Sequence, residues 1–393
     1  MLSIAQFRCW LVAPDPDIIL ACLAIRTFYT GQASPMSTDR VEFRNLSSAS
    51  RAGRWSCWLV VLIVAFLIGC TNDNALIVYT ALDSEFSEPL LQQFSKETGV
   101  AVRPRFDTES NKTVGLTQAI ISEAGAGNVR CDLFWNNEIL NTLRLKQRGL
   151  LDVYLSPSHT PYSERFRGSD NTWHGFAARA RVLIVNTTRV PEDQRPTSIL
   201  DLTDPKWKGQ VGIGKPLAGT TATHAACLFA KWGDAKAKKF FDDLRKNEVA
   251  IESGNKQVAL RVASGQLAIG LTDTDDAIME KEKGLPIEII FPDSAPDQLG
   301  TLVIPNTLAV IKGCRHRAEA RRLIDYLLSE QVEQKLAAGP SAQIPLNPNV
   351  EAADLDARLT RPSDFHAMEV DFELAAEKWD TTAQYLRSHF LAP

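Results

Sequence analysis

FAARARVLIVN (residues 176–186) and LVIPNTLAVI (residues 302–311) are the two long strand-forming runs of this chain. Each separates one block of alternating strand and helix signals from another. They therefore read as a pair of strands crossing between two lobes. The chain leaves lobe one near residue 178 and returns near residue 304, and the tail from 312 onward is expected to pack back on lobe one. Lobe one then comprises residues 71–178 plus 304–393, and lobe two residues 179–303.

Outward from these runs the same alternation continues. Leu76–Thr80 (LIVYT) is apolar and β-branched without alternation, as in a strand covered on both faces. A helix follows to about Thr98, capped by Asp83 or Ser84, with Phe86, Leu90 and Phe94 on one face and Gly99 ending it. Strand Val100–Arg105, helix Thr113–Glu123, strand Asp132–Trp135 and helix Ile139–Arg148 complete a β-α-β-α-β unit, the signature of a parallel doubly wound sheet. Beyond residue 186 come strands at Val211–Ile213, Val249–Ile251 and Ala268–Leu271. Helices are expected at Thr220–Lys231, Ala235–Arg245, Asn255–Ala263, from about Asp275, and at Arg315–Leu328 with Leu323, Tyr326 and Leu327 inward. The fold class is α/β with two lobes, each a doubly wound sheet. Ligands of such sheets sit beyond the C-terminal ends of the strands, so two facing sheets make a cleft that hinge strands can close.

The N-terminus speaks to location. Arg51 and Arg54 precede the apolar run Cys57–Gly69, which is shorter than the roughly 20 residues a membrane span needs and fits the h-region of a secretory signal. It ends in Leu67-Ile68-Gly69-Cys70, which resembles a bacterial lipobox. Cys70 is thus the expected lipidated N-terminus, and residues 1–70 the signal region. Residues 1–35 carry no n-region pattern, whereas Met36 gives a conventional start, so residues 1–35 are expected to be untranslated. The first seventy residues hold six Lys/Arg and four Asp/Glu, so the remainder carries a net charge of −6 against −4 for the whole chain. That excludes a nucleic-acid binder built on a basic face. Beyond Cys70 only Cys131, Cys227 and Cys314 remain, too scattered for a zinc site and expected as buried free thiols.

Several strings resemble the ferric-iron-type periplasmic solute-binding proteins of ABC importers, the class with two crossover strands. They include VYTALDSEFSEPLLQQFSKETGV (78–100), DLFWNNEILNTLRLKQRGLL (132–151), DLTDPKWKGQVGIGKPLAGTTATHAA (201–226), GLTDTDDA (270–277) and GTLVIPNTLAVIKG (300–313). The resemblance covers nearly all of the chain beyond Cys70. It implies a type II periplasmic-binding fold, an extracytoplasmic location, delivery of cargo to a permease and ATPase complex, no catalysis and no required cofactor. A monomer is expected.

The strand ends supply the ligand-binding candidates. Tyr79, Thr80 and Asp83 end the first strand and start its helix; Asn136 and Glu138 follow the third. Gly219, Thr220 and Thr221 open a helix whose free N–H groups and hydroxyls favour an anion, each such dipole contact being worth about 0.3–1 kcal/mol. Asp273, Thr274, Asp275 and Asp276 follow strand Ala268–Leu271, and three carboxylates so close call for a cation or basic group nearby. Arg179 and Arg181 share a face of the crossover strand. The iron binders place an adjacent tyrosine pair just after the strand matching Ala268–Leu271, where this chain has Thr-Asp-Asp. After residue 70 its tyrosines are 79, 154, 162, 326 and 385, none adjacent. Oxygen donors from Tyr79, Glu138, Asp275 and Asp276 are the metal set to consider.

Three ligand readings stand. One is ferric iron, alone or with a synergistic anion at Thr220–Thr221. Another is a small organic ion such as an aminoalkylphosphonate, a polyamine or an organic acid. The third makes the protein a ligand sensor for a membrane signalling partner. An enzyme is disfavoured: Gly212-Ile213-Gly214-Lys215-Pro216 lacks the phosphate-loop pattern, and neither G-x-S-x-G nor H-E-x-x-H occurs.

Overall fold

A computed structural model of the chain describes residues 74–107, 113–350 and 365–392, all within one compact unit, Asn72–Pro393. The lipidation expected at Cys70 and the start expected at Met36 concern positions outside the described residues. Among those described, no helix is long and apolar enough to cross a membrane.

Strand β1 (Leu76–Thr80) pairs in parallel with β2 (Val102–Phe106) on one side and with β3 (Leu133–Asn136) on the other. Helices α1 (Ser84–Thr98) and α2 (Val114–Gly125) make the crossovers, and α3 (Leu140–Gln147) follows β3. Helix α1 stops where Gly99 takes φ 73°, and the Gly99 N–H satisfies the Ser95 carbonyl. The long strands are β4 (His174–Asn186) and β9 (Val303–Val310), every residue of both buried. β9 runs antiparallel between β3 and β4.

β4 changes partners along its length. His174–Ala180 pair with β9, whereas Arg181–Val185 pair with β7 (Ile269–Asp273) and Leu183–Asn186 with β8 (Ile287–Ile290). Beyond β7 lie β5 (Val211–Gly214) and β6 (Ala250–Glu252), all three parallel. The order β2-β1-β3-β9-β4-β7-β5-β6 therefore holds two parallel blocks joined through the antiparallel pair β4 and β9. This is the two-lobed α/β arrangement with two crossover strands. Helices α4 (Gly219–Trp232), α5 (Asp234–Lys246), α6 (Asn255–Ala263) and α7 (Thr274–Glu282) clothe the second block.

Two apolar cores line the two faces of this sheet, and each runs through both lobes. On one face Phe134 and Leu183 pack with Ile120 of α2, Leu143 of α3 and Phe229 of α4. On the other, Val78, Trp135 and Ile184 pack with Phe94 of α1, Val262 of α6 and Leu323 of α8 (Arg317–Leu327). Ile324, rather than Tyr326, joins Leu323 and Leu327 in that core; Tyr326 is half-buried against Phe94.

The tail departs from expectation. Helix α9 (Glu330–Ala338) packs against β4, but α10 (Phe372–Tyr385) lies across both lobes, on α4 and α3 together. Arg144 and Lys146 of α3 reach Asp380 and Glu373, while Lys378 and Tyr385 reach Asp234 and Asp242 of α5. Among the described residues Cys131, Cys227 and Cys314 are free, the first two buried; burial pushes these three thiols up, Cys314 to about 11.

Candidate functional site

A cavity of about 660 Å3 opens beyond the C-terminal ends of the strands of both lobes. Lobe one contributes Asp83, Glu85 and Asn137. Lobe two contributes the start of α4 at Ala218–Thr221, the start of α6 at Ser253–Gln257, and Asp273, Asp275 and Asp276. Neither α4 nor α6 has a side-chain cap: their N-cap residues are Ala218 and Gly254. Their first N–H groups therefore face the cavity as donors. Gly219 takes φ 59°, and a Cβ on Gly214 would stand 2.9 Å from Thr221 Oγ1 and 3.1 Å from Asn255 Oδ1. Glycine at the end of β5 is what lets both helix starts converge there.

Beneath the helix starts lies a polar network. Arg181, fully buried, is the cross-strand neighbour of Asp273 and donates to Asp273 Oδ1 at 2.6 Å. Asp273 Oδ2 accepts from Thr220 Oγ1 at 2.6 Å and from Asn255 Nδ2 at 3.0 Å. Thr221 Oγ1 donates to Asn255 Oδ1 at 2.9 Å. Asp273 thus lines the cavity with its oxygens already occupied. It locks Thr220 and Asn255 in place rather than offering itself to a ligand.

Arg179 is different. It is 4% exposed and lines the cavity, with Nη1 3.5 Å from Asp275 Oδ2; its Nε, like that of Arg181, has no hydrogen-bond partner among the described residues. Desolvation alone would lower its pKa. The charges of Asp275, Asp273, Asp83 and Asp276 more than offset that, so the pKa rises and the guanidinium stays charged. Asp273, Asp275 and Asp276 bring one oxygen each to within 4.8 Å of one another, close enough to hold a cation. Lys215, Lys256 and Arg387 stand exposed on the lobe-two rim. Arg387 follows α10 directly, in the π-turn Leu386–Phe390.

The structure thus brings Asp83, Arg179, Gly219, Thr220, Thr221, Asp273, Asp275 and Asp276 to one cavity. It places the other sequence candidates elsewhere. Tyr79 lies on the opposite side of β1, where its hydroxyl donates to Glu123 Oε1 at 2.6 Å and accepts from Arg105 at 2.9 Å; burial and the Glu123 bond push it to about 12. Thr80 turns inward and accepts the Leu82 N–H. Glu138 is buried as the cap of α3, taking the Leu140 and Asn141 N–H groups at 2.7 and 3.0 Å and the Thr223 hydroxyl at 2.6 Å. Asn136, a ligand-binding candidate from the sequence, is buried and donates instead to Glu138 and Thr142. Thr274 accepts the Ala180 N–H and fastens α7 to the crossover strand. The metal set with Tyr79 and Glu138 is therefore not assembled; the acidic group that is assembled joins Asp273 to Asp275 and Asp276.

Comparison with known proteins fits this geometry. Residues 141–372 match the family model described as bacterial extracellular solute-binding protein. The chain belongs to that family. A Haemophilus influenzae protein described as uncharacterized is 29% identical over 239 residues, 58% of this chain and 67% of that one. The major ferric iron-binding protein of Neisseria meningitidis serogroup B is 24% identical over 303 residues, 74% of this chain and 86% of that one. Among solved structures, iron-bound HitA from Pseudomonas aeruginosa matches with TM-score 0.70 at 22% identity, covering 79% of this chain and 98% of HitA. The periplasmic binding protein AfuA from Actinobacillus pleuropneumoniae, with fructose-6-phosphate bound, also matches at TM-score 0.70 and 22% identity, covering 81% and 100%. One fold thus serves relatives whose described ligands are a metal ion and a sugar phosphate, and in this solute-binding protein the cavity residues carry the choice.

Proposed function

We propose that this solute-binding protein serves an ABC importer as a lipoprotein anchored at Cys70, and that its cargo is a small molecule bearing a phosphate or phosphonate at one end and hydroxyl or ammonium groups at the other. The observation that carries this reading is Arg179, a buried, charged guanidinium that lines the cavity beside two uncapped helix starts. Such donors suit an anion. Asp275 and Asp276 supply acceptors for the opposite end of the ligand. A cavity of about 660 Å3 is the size of a small-molecule pocket and larger than a bare ion requires.

A ferric-iron reading draws on a separate observation, the three aspartate oxygens within 4.8 Å. Against it, Asp273 already accepts from three donors, and no tyrosine among the described residues lines the cavity. A melting assay with fructose-6-phosphate, an aminoalkylphosphonate, inorganic phosphate and ferric citrate separates the two. A phosphate or phosphonate ester at a hundred times its dissociation constant is expected to add about 2.7 kcal/mol of stability. Stabilisation by ferric salts alone would overturn the organic-anion reading. Labelling with radioactive palmitate, abolished by Cys70→Ser, tests the anchor independently.

A further inference from the structure

A second recess runs from the start of β1 along one face of lobe one as far as Tyr79. Its volume is about 510 Å3, and Ala75, Ile77, Tyr79 and Pro104 form its floor. β2 is the edge strand of the sheet, with alternating exposure. Its register sets Arg103 beside Ile77 and Arg105 beside Tyr79, so both arginines stand over that floor on one face. Arg130 and Arg315 come from the turns before β3 and α8 and complete a rim of four arginines. The side chains of Arg105 and Arg130 remain 49% and 60% exposed although both pair with Glu123 below.

Two carboxylates at this rim, Asp132 and Glu123, are both engaged. Asp132 lines the recess, but it accepts the N–H groups of Ile77, Arg315 and His316 and the His316 ring. Glu123 is buried and shared by Tyr79, Arg105 and Arg130. A cationic recess with an apolar floor is local to this place, on a chain whose net charge beyond residue 70 is −6.

Its position in the chain indicates what it meets. Ala75 lines the recess and is five residues after Cys70, a separation of at most about 18 Å of extended chain. We propose that this recess docks the phosphate headgroups of anionic phospholipids in the membrane to which Cys70 is attached. The inference rests on the Cys70 anchor and is independent of the identity of the cargo. Basic side chains near a membrane surface each add to binding, and the apolar floor suits the glycerol and upper acyl region. β1 and β3 run from this recess toward the cleft, where Asp83 and Asn137 stand. Docking here turns the cargo cavity away from the bilayer.

The test uses the compact polypeptide Asn72–Pro393 without lipid, in sedimentation with vesicles of phosphatidylglycerol or of phosphatidylcholine at low ionic strength. Binding to phosphatidylglycerol vesicles alone is expected. R103Q/R315Q should weaken it roughly 30-fold while a cooperative melting transition persists. K208Q/K239Q removes the same charge from lobe two and should leave it intact. Absence of binding to anionic vesicles, or equal losses in both double variants, would overturn the proposal. Saturation by glycerol phosphate in solution without vesicle binding would overturn the lipid source. Palmitate labelling reports on the anchor by itself, so loss of the anchor and failure of the docking surface give separate results.

Discussion

Two arginines two residues apart on one strand have opposite assignments. Arg181 belongs to a polar network with Asp273, Thr220 and Asn255 and does not line the cavity, whereas Arg179 does. Removing one partner of a buried pair leaves the other charge uncompensated, at a cost of about 3–5 kcal/mol. D273N is therefore expected to lower unfolding free energy by about that much in chemical denaturation, while any surviving folded protein keeps part of its affinity. R179Q is expected to act the other way around. A charge-assisted hydrogen bond is worth about 1.5–3 kcal/mol, so calorimetric affinity for a phosphate ester should fall roughly 10- to 100-fold. Unchanged affinity in R179Q would remove Arg179 from the ligand shell. The sequence placed both arginines on one face of the strand, but it could not tell which would line the cavity. Tyr79 shows the same limit: a strand end says that a residue is near the cleft, and the pleat then turns alternate side chains away from it. Arg387 arrives from a distant helix with no local signal, and Asn255 and Lys256 open a helix without any motif.

At the scale of elements, the crossover strand is held at a bulge. The register of β4 against β9 shifts between Phe176 and Ala178, and Ala177 sits at φ 38°. The Ala177 N–H donates to Glu333 Oε1 and the Asn347 N–H to Glu333 Oε2, both at 2.6 Å. Desolvation raises the Glu333 pKa to about 7 despite those two N–H groups. The native state therefore holds this proton more tightly than the unfolded state. The stabilisation is complete below about 4.5 and is lost as pH rises through about 7. His159 and His174 behave in the opposite sense. Desolvation lowers both to about 4, so their contribution is complete above 6.5 and is lost as pH falls toward 4. Melting temperature should thus rise from pH 4.5 to 6.5, where two histidines outweigh one glutamate, and decline slightly above it. E333Q should abolish that decline and lower the whole curve, because an amide offers one acceptor where two main-chain N–H groups point. A decline above pH 6.5 that survives in E333Q would assign it to another group. The strands themselves were legible because a strand covered on both faces must be an apolar run. Helix α10 was not: its buried face is Ala375, Ala376, Trp379 and Thr382, a single tryptophan among small and polar residues that leave only a faint stripe. β8, with Glu288 inside four residues, was hidden for the same reason.

For the whole molecule, two lobes suggest two unfolding units, yet the packing argues for one. Each apolar core follows one face of the sheet through both lobes, and β4 and β9 are shared by them. Helix α10 adds a third tie: Trp379 is buried against α3 and α4, its ring 5.2 Å from the Arg144 guanidinium. Melting one lobe alone would expose half of both cores while the other half stayed ordered. Calorimetry of Asn72–Pro393 should therefore give a single transition with calorimetric and van't Hoff enthalpies equal. W379A should cost about 3–5 kcal/mol by opening a cavity where the lobes meet, and it is the variant in which two transitions should first separate. Closure on cargo must then come from bending β4 and β9 rather than from sliding the lobes past α10. Two resolved transitions in the unmodified protein would show that the cores are energetically divided at the crossover strands, and would make α10 a passenger on one lobe.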